Sequence, residues 1–69
     1  MGFILANKSY LGNEWKDDGY YGGGSKYADM FNLVPYKQQA EVIESEEEAN
    51  KIADYLNKGD WKFKVEPVS

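Results

Sequence analysis

The sequence predicts an α+β domain: a small antiparallel or mixed sheet, in the order β-β-β-α-β, with one helix packed across one face. Three observations carry that expectation. Ser45-Glu-Glu-Glu-Ala49 starts a stretch whose apolar residues recur at helical spacing. Trp61-Lys-Phe-Lys-Val-Glu66 alternates apolar and charged residues with the period of a half-buried strand. Phe3-Ile-Leu-Ala6 is apolar on both faces, as a central strand is. With 69 residues the chain makes a single domain spanning 1–69. A domain of that size buries only about 60% of its unfolded surface.

Taken in order, Gly2-Phe-Ile-Leu-Ala6 is the first strand, and Asn7-Lys8 turns it into Ser9-Tyr10-Leu11 as an N-terminal hairpin. From about residue 13 to 38 the chain reads as one long loop rich in Tyr and Gly, and loops of that length are usually functional or mobile. Ala40-Glu-Val-Ile-Glu44 reads as a short strand.

The helix is expected over residues 46–57. Ser45 and Glu48 have the spacing of a capping box. Glu46, Glu47 and Glu48 lie where the helix dipole favours negative charge, and Lys58 lies at the favourable opposite end. Glu47 and Lys51 can pair one turn apart. Ala49, Ile52, Ala53 and Leu56 form the buried stripe, and Gly59 supplies the stop. A last strand covers residues 62–66, with Pro67 ending it. One helix covers one face of the sheet. The two-sided apolar character of residues 3–6 therefore requires a second cover, either the segment 15–36 or another molecule. Trp15 and Trp61 are expected in the core.

Composition narrows the function classes. There is no Cys, hence no disulfide and no Cys-type zinc site, and no His, the usual proton shuttle near neutral pH. There is no Arg, the residue best suited to bidentate phosphate contacts, and the net charge is −4. Counterion release from a nucleic-acid backbone then has little to drive it, which argues against direct nucleic-acid binding. No run approaches the roughly 20 apolar residues of a membrane span. Residues 3–6 are too short for a signal-peptide core, and Ala6 stands where a myristoylation motif needs Ser or Thr. The expectation is a soluble, unprocessed, cytoplasmic protein.

Several local patterns invite a chemistry and fail its requirements. Gly19-Tyr-Tyr-Gly-Gly-Gly-Ser-Lys26 has the glycine separation of a phosphate-binding loop, but Ser25 and Lys26 are reversed and the preceding residues are polar and acidic. Asp17-Asp18-Gly19 resembles the middle of a calcium loop, yet that register puts Lys16 at a ligand position and Ser25 where the bidentate Glu belongs. The serines have no His or Cys partner. No catalytic residue, metal ligand or cofactor is assigned, and the chain is expected not to be an enzyme. Binding residues are expected instead in the Tyr–Gly segment, as exposed rings of Tyr20, Tyr21, Tyr27, Phe31 and Tyr36, because Tyr and Trp dominate interface hot spots. Glu46 and Glu47 of the acidic helix would guide approach.

Ala40-x-Val-Ile-x-Ser-Glu-Glu-Glu-Ala49, followed by a short helix and a final strand, resembles small accessory proteins encoded by phages and prophages of Gram-positive bacteria. Their recurring junction is A-x-V-F-x-S-x-E-E-A. The resemblance covers residues 40–66 and, loosely, 2–11. It implies a protein that acts by stoichiometric binding in the host cytoplasm, inhibiting or modulating a host or anti-phage defence protein, an anti-CRISPR-like role being one version. Residues 40–60 carry seven acids against two lysines, a concentration suited to a partner with a basic, nucleic-acid-handling surface. The alternative is a self-associating accessory protein, a homodimer covering the open sheet face, with no inhibitory role.

Overall fold

The computed structural model describes residues 2–24 and 31–68, and they form a four-stranded antiparallel sheet with one helix on it. β1 (Gly2–Leu11) and β2 (Glu14–Gly24) make a hairpin. β3 (Phe31–Val34) pairs with β2, and β4 (Phe63–Val68) pairs with β1. The order across the sheet is β3-β2-β1-β4. α1 (Glu46–Leu56) lies between β3 and β4 in sequence, so the expected β-β-β-α-β order holds. The identities of the second and third strands differ from expectation.

The first hairpin turns at Gly12-Asn13, not at Asn7-Lys8. Gly12 and Asn13 have φ of 59° and 72°, the two positive values a two-residue type I′ turn needs. Asn7 and Lys8 continue β1 because Asn7 is pinned on both sides. Its Nδ2 donates to the carbonyl of Asp18 at 3.2 Å, and its Oδ1 accepts from the Lys62 amide at 3.0 Å. Residues 13–38 are likewise not one loop, since β2 and β3 lie within them. Two register shifts interrupt β2, between the Ala6 and Lys8 pairings and between Tyr21 and Gly24. Gly19 and Gly23, both at φ 93°, supply the backbone freedom there. Such bulges break the period-two pattern by which a strand is recognised in sequence.

Ala40–Glu44 forms no strand. Ile43 makes a single bridge to Phe3, with amide–carbonyl bonds of 2.8 Å in both directions, and the Glu41 amide reaches the Tyr21 carbonyl at 2.9 Å. The segment fills the gap at the start of β1, where pairing with β2 has not yet begun. Pro67 does not end the last strand but lies within it, opposite Phe3. The Lys8 amide bonds the Lys62 carbonyl, so the backbone groups of Lys64 and Glu66 also face β1 while those of Phe63, Val65 and Pro67 face outward. The absent N–H of Pro67 therefore costs the ladder nothing.

On the inner face, Leu5, Tyr21 and Phe63 pack with Ile43 against Ala49, Ile52, Ala53 and Leu56, the stripe read from the sequence. Ser45 caps the helix, its Oγ accepting from the Glu48 amide at 3.3 Å. Gly59 takes no positive φ; at the C-cap the side chain of Asn57 turns instead to β4. The outer face is covered too: Ile4 and Ala6 are buried, and Lys37, Gln38, Ala40 and Val42 surround Ile4 together with Val68. Within one chain the cover over Ile4 is thus the segment after β3 rather than residues 15–36.

Candidate interaction surfaces

Alternation along the strands decides which side chains meet. Phe3, Leu5 and Asn7 face the helix, as do Phe63 and Val65; Ile4, Ala6, Lys8 and Tyr10 face the other side, as do Lys62, Lys64 and Glu66. Cross-strand pairing then puts Asp17 beside Lys8 and Trp15 beside Tyr10 on that second face.

The seven residues expected to bind a partner are dispersed by this geometry. Tyr21 is 1% exposed, a core ring beside Phe31 at 5.9 Å between centroids. It cannot serve as an exposed anchor, because its strand position turns it under the helix. Phe31 is half-buried and packs edge-on to Trp61 at 5.3 Å and to Phe63 at 5.8 Å. Tyr20 is also half-buried, its hydroxyl donating to Asp17 at 3.0 Å. Tyr36, 60% exposed, is an open ring, and Tyr27 lies outside the described residues. Glu46 and Glu47 are exposed at the start of α1, Glu47 pairing with Lys51 at 3.4 Å.

The rings that do face solvent include a pair that sequence reasoning did not select. Trp15, expected in the core, is 59% exposed, and Tyr10 is 55% exposed, with 5.1 Å between ring centroids. The available signal was Tyr10 and Trp15 placed symmetrically about Gly12-Asn13, once that dipeptide is read as the turn. Trp61, also expected in the core, packs at its margin on Phe63 at 5.6 Å.

Beside the exposed pair is an ionic cluster. Lys8 Nζ binds Asp17 and, at 2.7 Å, Glu66. The hydrogen bond from Lys8 holds the Asp17 carboxyl below its ordinary range despite partial desolvation. Bonds to Asp17 and then Glu66 raise the Lys8 ammonium. Burial, followed by its bond to Asp17, raises the Tyr20 phenol. These groups hold one another in their usual charge states, which is a structural arrangement rather than an acid–base device.

Exposed carboxylates crowd the helical side, and the opposite face carries lysines together with the Asp17 and Glu66 carboxylates bound by Lys8. The helical side presents Glu41, Glu44, Glu46, Glu47 and Asp54. The opposite face presents Lys62 and Lys64, which have no ion-pair partner among the described residues. Gly19–Gly24 of the glycine-rich stretch is built into β2, and Ser25 and Lys26 lie outside the described residues. Among the described residues no group of three or more acidic side chains is gathered as a metal site would need, and no helix is long and apolar enough to cross a membrane. No family model matches the chain, and no curated protein or solved structure matches it either.

Proposed function

We propose that this chain is a small non-enzymatic binding protein that inhibits or modulates a protein with a basic surface, using the acidic side of α1 as the contact. The observation that carries the reading is the segregation of charge: the exposed carboxylates of residues 41–54 lie on the helical side, while Lys62 and Lys64 lie across the sheet. Such an arrangement steers association with a basic patch and disfavours wrong approaches. The resemblance of residues 40–66 to phage accessory proteins supplies the partner class, a nucleic-acid-handling host or anti-phage defence protein, with an anti-CRISPR-like role as one form. Self-association to cover an open sheet face loses its motive, because Ile4 and Ala6 are covered within one chain.

The test is affinity capture from a bacterial lysate, followed by kinetics with the captured protein. Glu46→Gln with Glu47→Gln should slow association and flatten its salt dependence while circular dichroism stays unchanged. Unaltered association kinetics in that variant, or capture of no protein with a basic surface, would sink the reading.

A further inference from the structure

The net charge of −4 is unevenly spread: carboxylates crowd the helical side, while Lys62 and Lys64 are exposed across the sheet beside the Lys8–Asp17–Glu66 cluster. The overall charge does not by itself decide what that second face binds. We propose that the hairpin end of the lysine-bearing face binds single-stranded nucleic acid. The inference concerns the face opposite the acidic helix and stands independently of the function proposed for that helix.

Two kinds of group converge there. Tyr10 and Trp15 are cross-strand neighbours beside the turn, each more than half exposed. The rings meet at a tilt of 47° and each stays more than half exposed, so ring surface remains in solvent on which bases of any identity can stack. Lys62 and Lys64 stand two residues apart on β4, hence roughly 7 Å apart along the strand, near the spacing of successive phosphates in an extended chain. The groove that Trp15 shares with Lys62 and Lys64 is also lined by Lys8 and, at the β4 edge, by Trp61, Phe63 and Asn57, and no carboxylate lines it. Tyr10, Trp15 and Lys62 also line an adjoining hollow together with Asp18 and Asp60, and Asp17 and Glu66 are held by Lys8.

The acidic helix packs on the other face of the sheet, and none of its carboxylates lines the groove. An acidic peptide would satisfy the lysines but offers no flat partner for two solvent-facing rings. A strand of nucleotides supplies both, with phosphates for the ammonium groups and bases for the rings. With so few lysines and no Arg to fix a base edge, recognition would be weak and tolerant of sequence.

The experiment is titration of the whole chain with a fluorescein-labelled ten-nucleotide oligothymidine at low ionic strength, read by anisotropy and by quenching of tryptophan emission. Saturable binding with quenching is expected. Trp15→Ala should weaken it about fivefold to a hundredfold, and Trp15→Tyr should restore most of the loss. Lys62→Gln with Lys64→Gln should lower the slope of log affinity against log salt by about 1.4. Circular dichroism of each variant separates lost binding from lost fold. Three results would overturn the proposal: no saturable binding at low salt, Trp15→Ala binding as tightly as wild type in a folded protein, or a polyglutamate peptide competing as well as unlabelled oligonucleotide. The last would show that the face takes acidic chains generally.

Discussion

Asn7 is the buried polar side chain on which the irregular part of the sheet depends. One amide satisfies the carbonyl exposed by the β2 bulge and the amide of Lys62 at the entry to β4, so neither group is left unpaired in the interior. Immediately before Asp18 in β2, Asp17 receives the Lys8 ammonium on the outer face. The sign of its pH effect follows from the lowered Asp17 carboxyl and the raised Lys8 ammonium. The Asp17 contribution is complete above its ordinary ionisation range and is lost as pH falls through the lowered folded value. The Lys8 contribution is complete below the ordinary lysine range and is lost as pH rises through the raised folded value. Asp17→Asn should therefore lower Tm at neutral pH and flatten its decline on acidification. Melting curves from neutral to acid pH check this, and parallel curves for variant and wild type would contradict it.

α1 and β4 are joined by a contact that resembles strand pairing. Asn57, at the C-cap of α1, accepts from the Phe63 amide at 2.7 Å and donates to the Phe63 carbonyl at 2.9 Å. These are the outward backbone groups of an edge strand, and an unpaired edge invites another chain to add to it. Asn57 occupies the edge at Phe63, and Pro67 offers no N–H further along. Asn57→Ala should cost about 1 kcal/mol per lost bond, measured by urea denaturation. It should also produce concentration-dependent association in light scattering. A destabilised variant that stays monomeric at high concentration would show that Asn57 closes the helix without guarding the edge.

For the whole molecule, the arrangement of covers decides what surface remains. α1 closes the inner face and residues 37–42 close the outer face over Ile4, leaving the hairpin end of that outer face open at Tyr10 and Trp15. With Ile4 and Ala6 already withdrawn from water, pairing of two chains through the sheet centre would bury little further apolar area. Sedimentation equilibrium should return a monomer at micromolar concentration. A stable dimer that survives Trp15→Ala would mean that another surface pairs.

What the sequence by itself determined was the part governed by neighbours in the chain. The Ser45 cap, the stripe Ala49, Ile52, Ala53 and Leu56, and the alternation after Trp61 are local patterns, and the helix and last strand lie where they indicate. Capping and periodic burial act within a turn or two of the chain, so a linear pattern carries them. The tertiary structure alone decided the rest. The glycines of β2 read as loop because each bulge resets the alternation, and only pairing with β1 and β3 shows a strand with two shifts in register. Those shifts put Tyr21 in the core, while the Gly12-Asn13 turn leaves Trp15 in solvent beside Tyr10. Which ring is an anchor and which is a core residue is a property of register, and register is set by contacts between residues far apart in the chain.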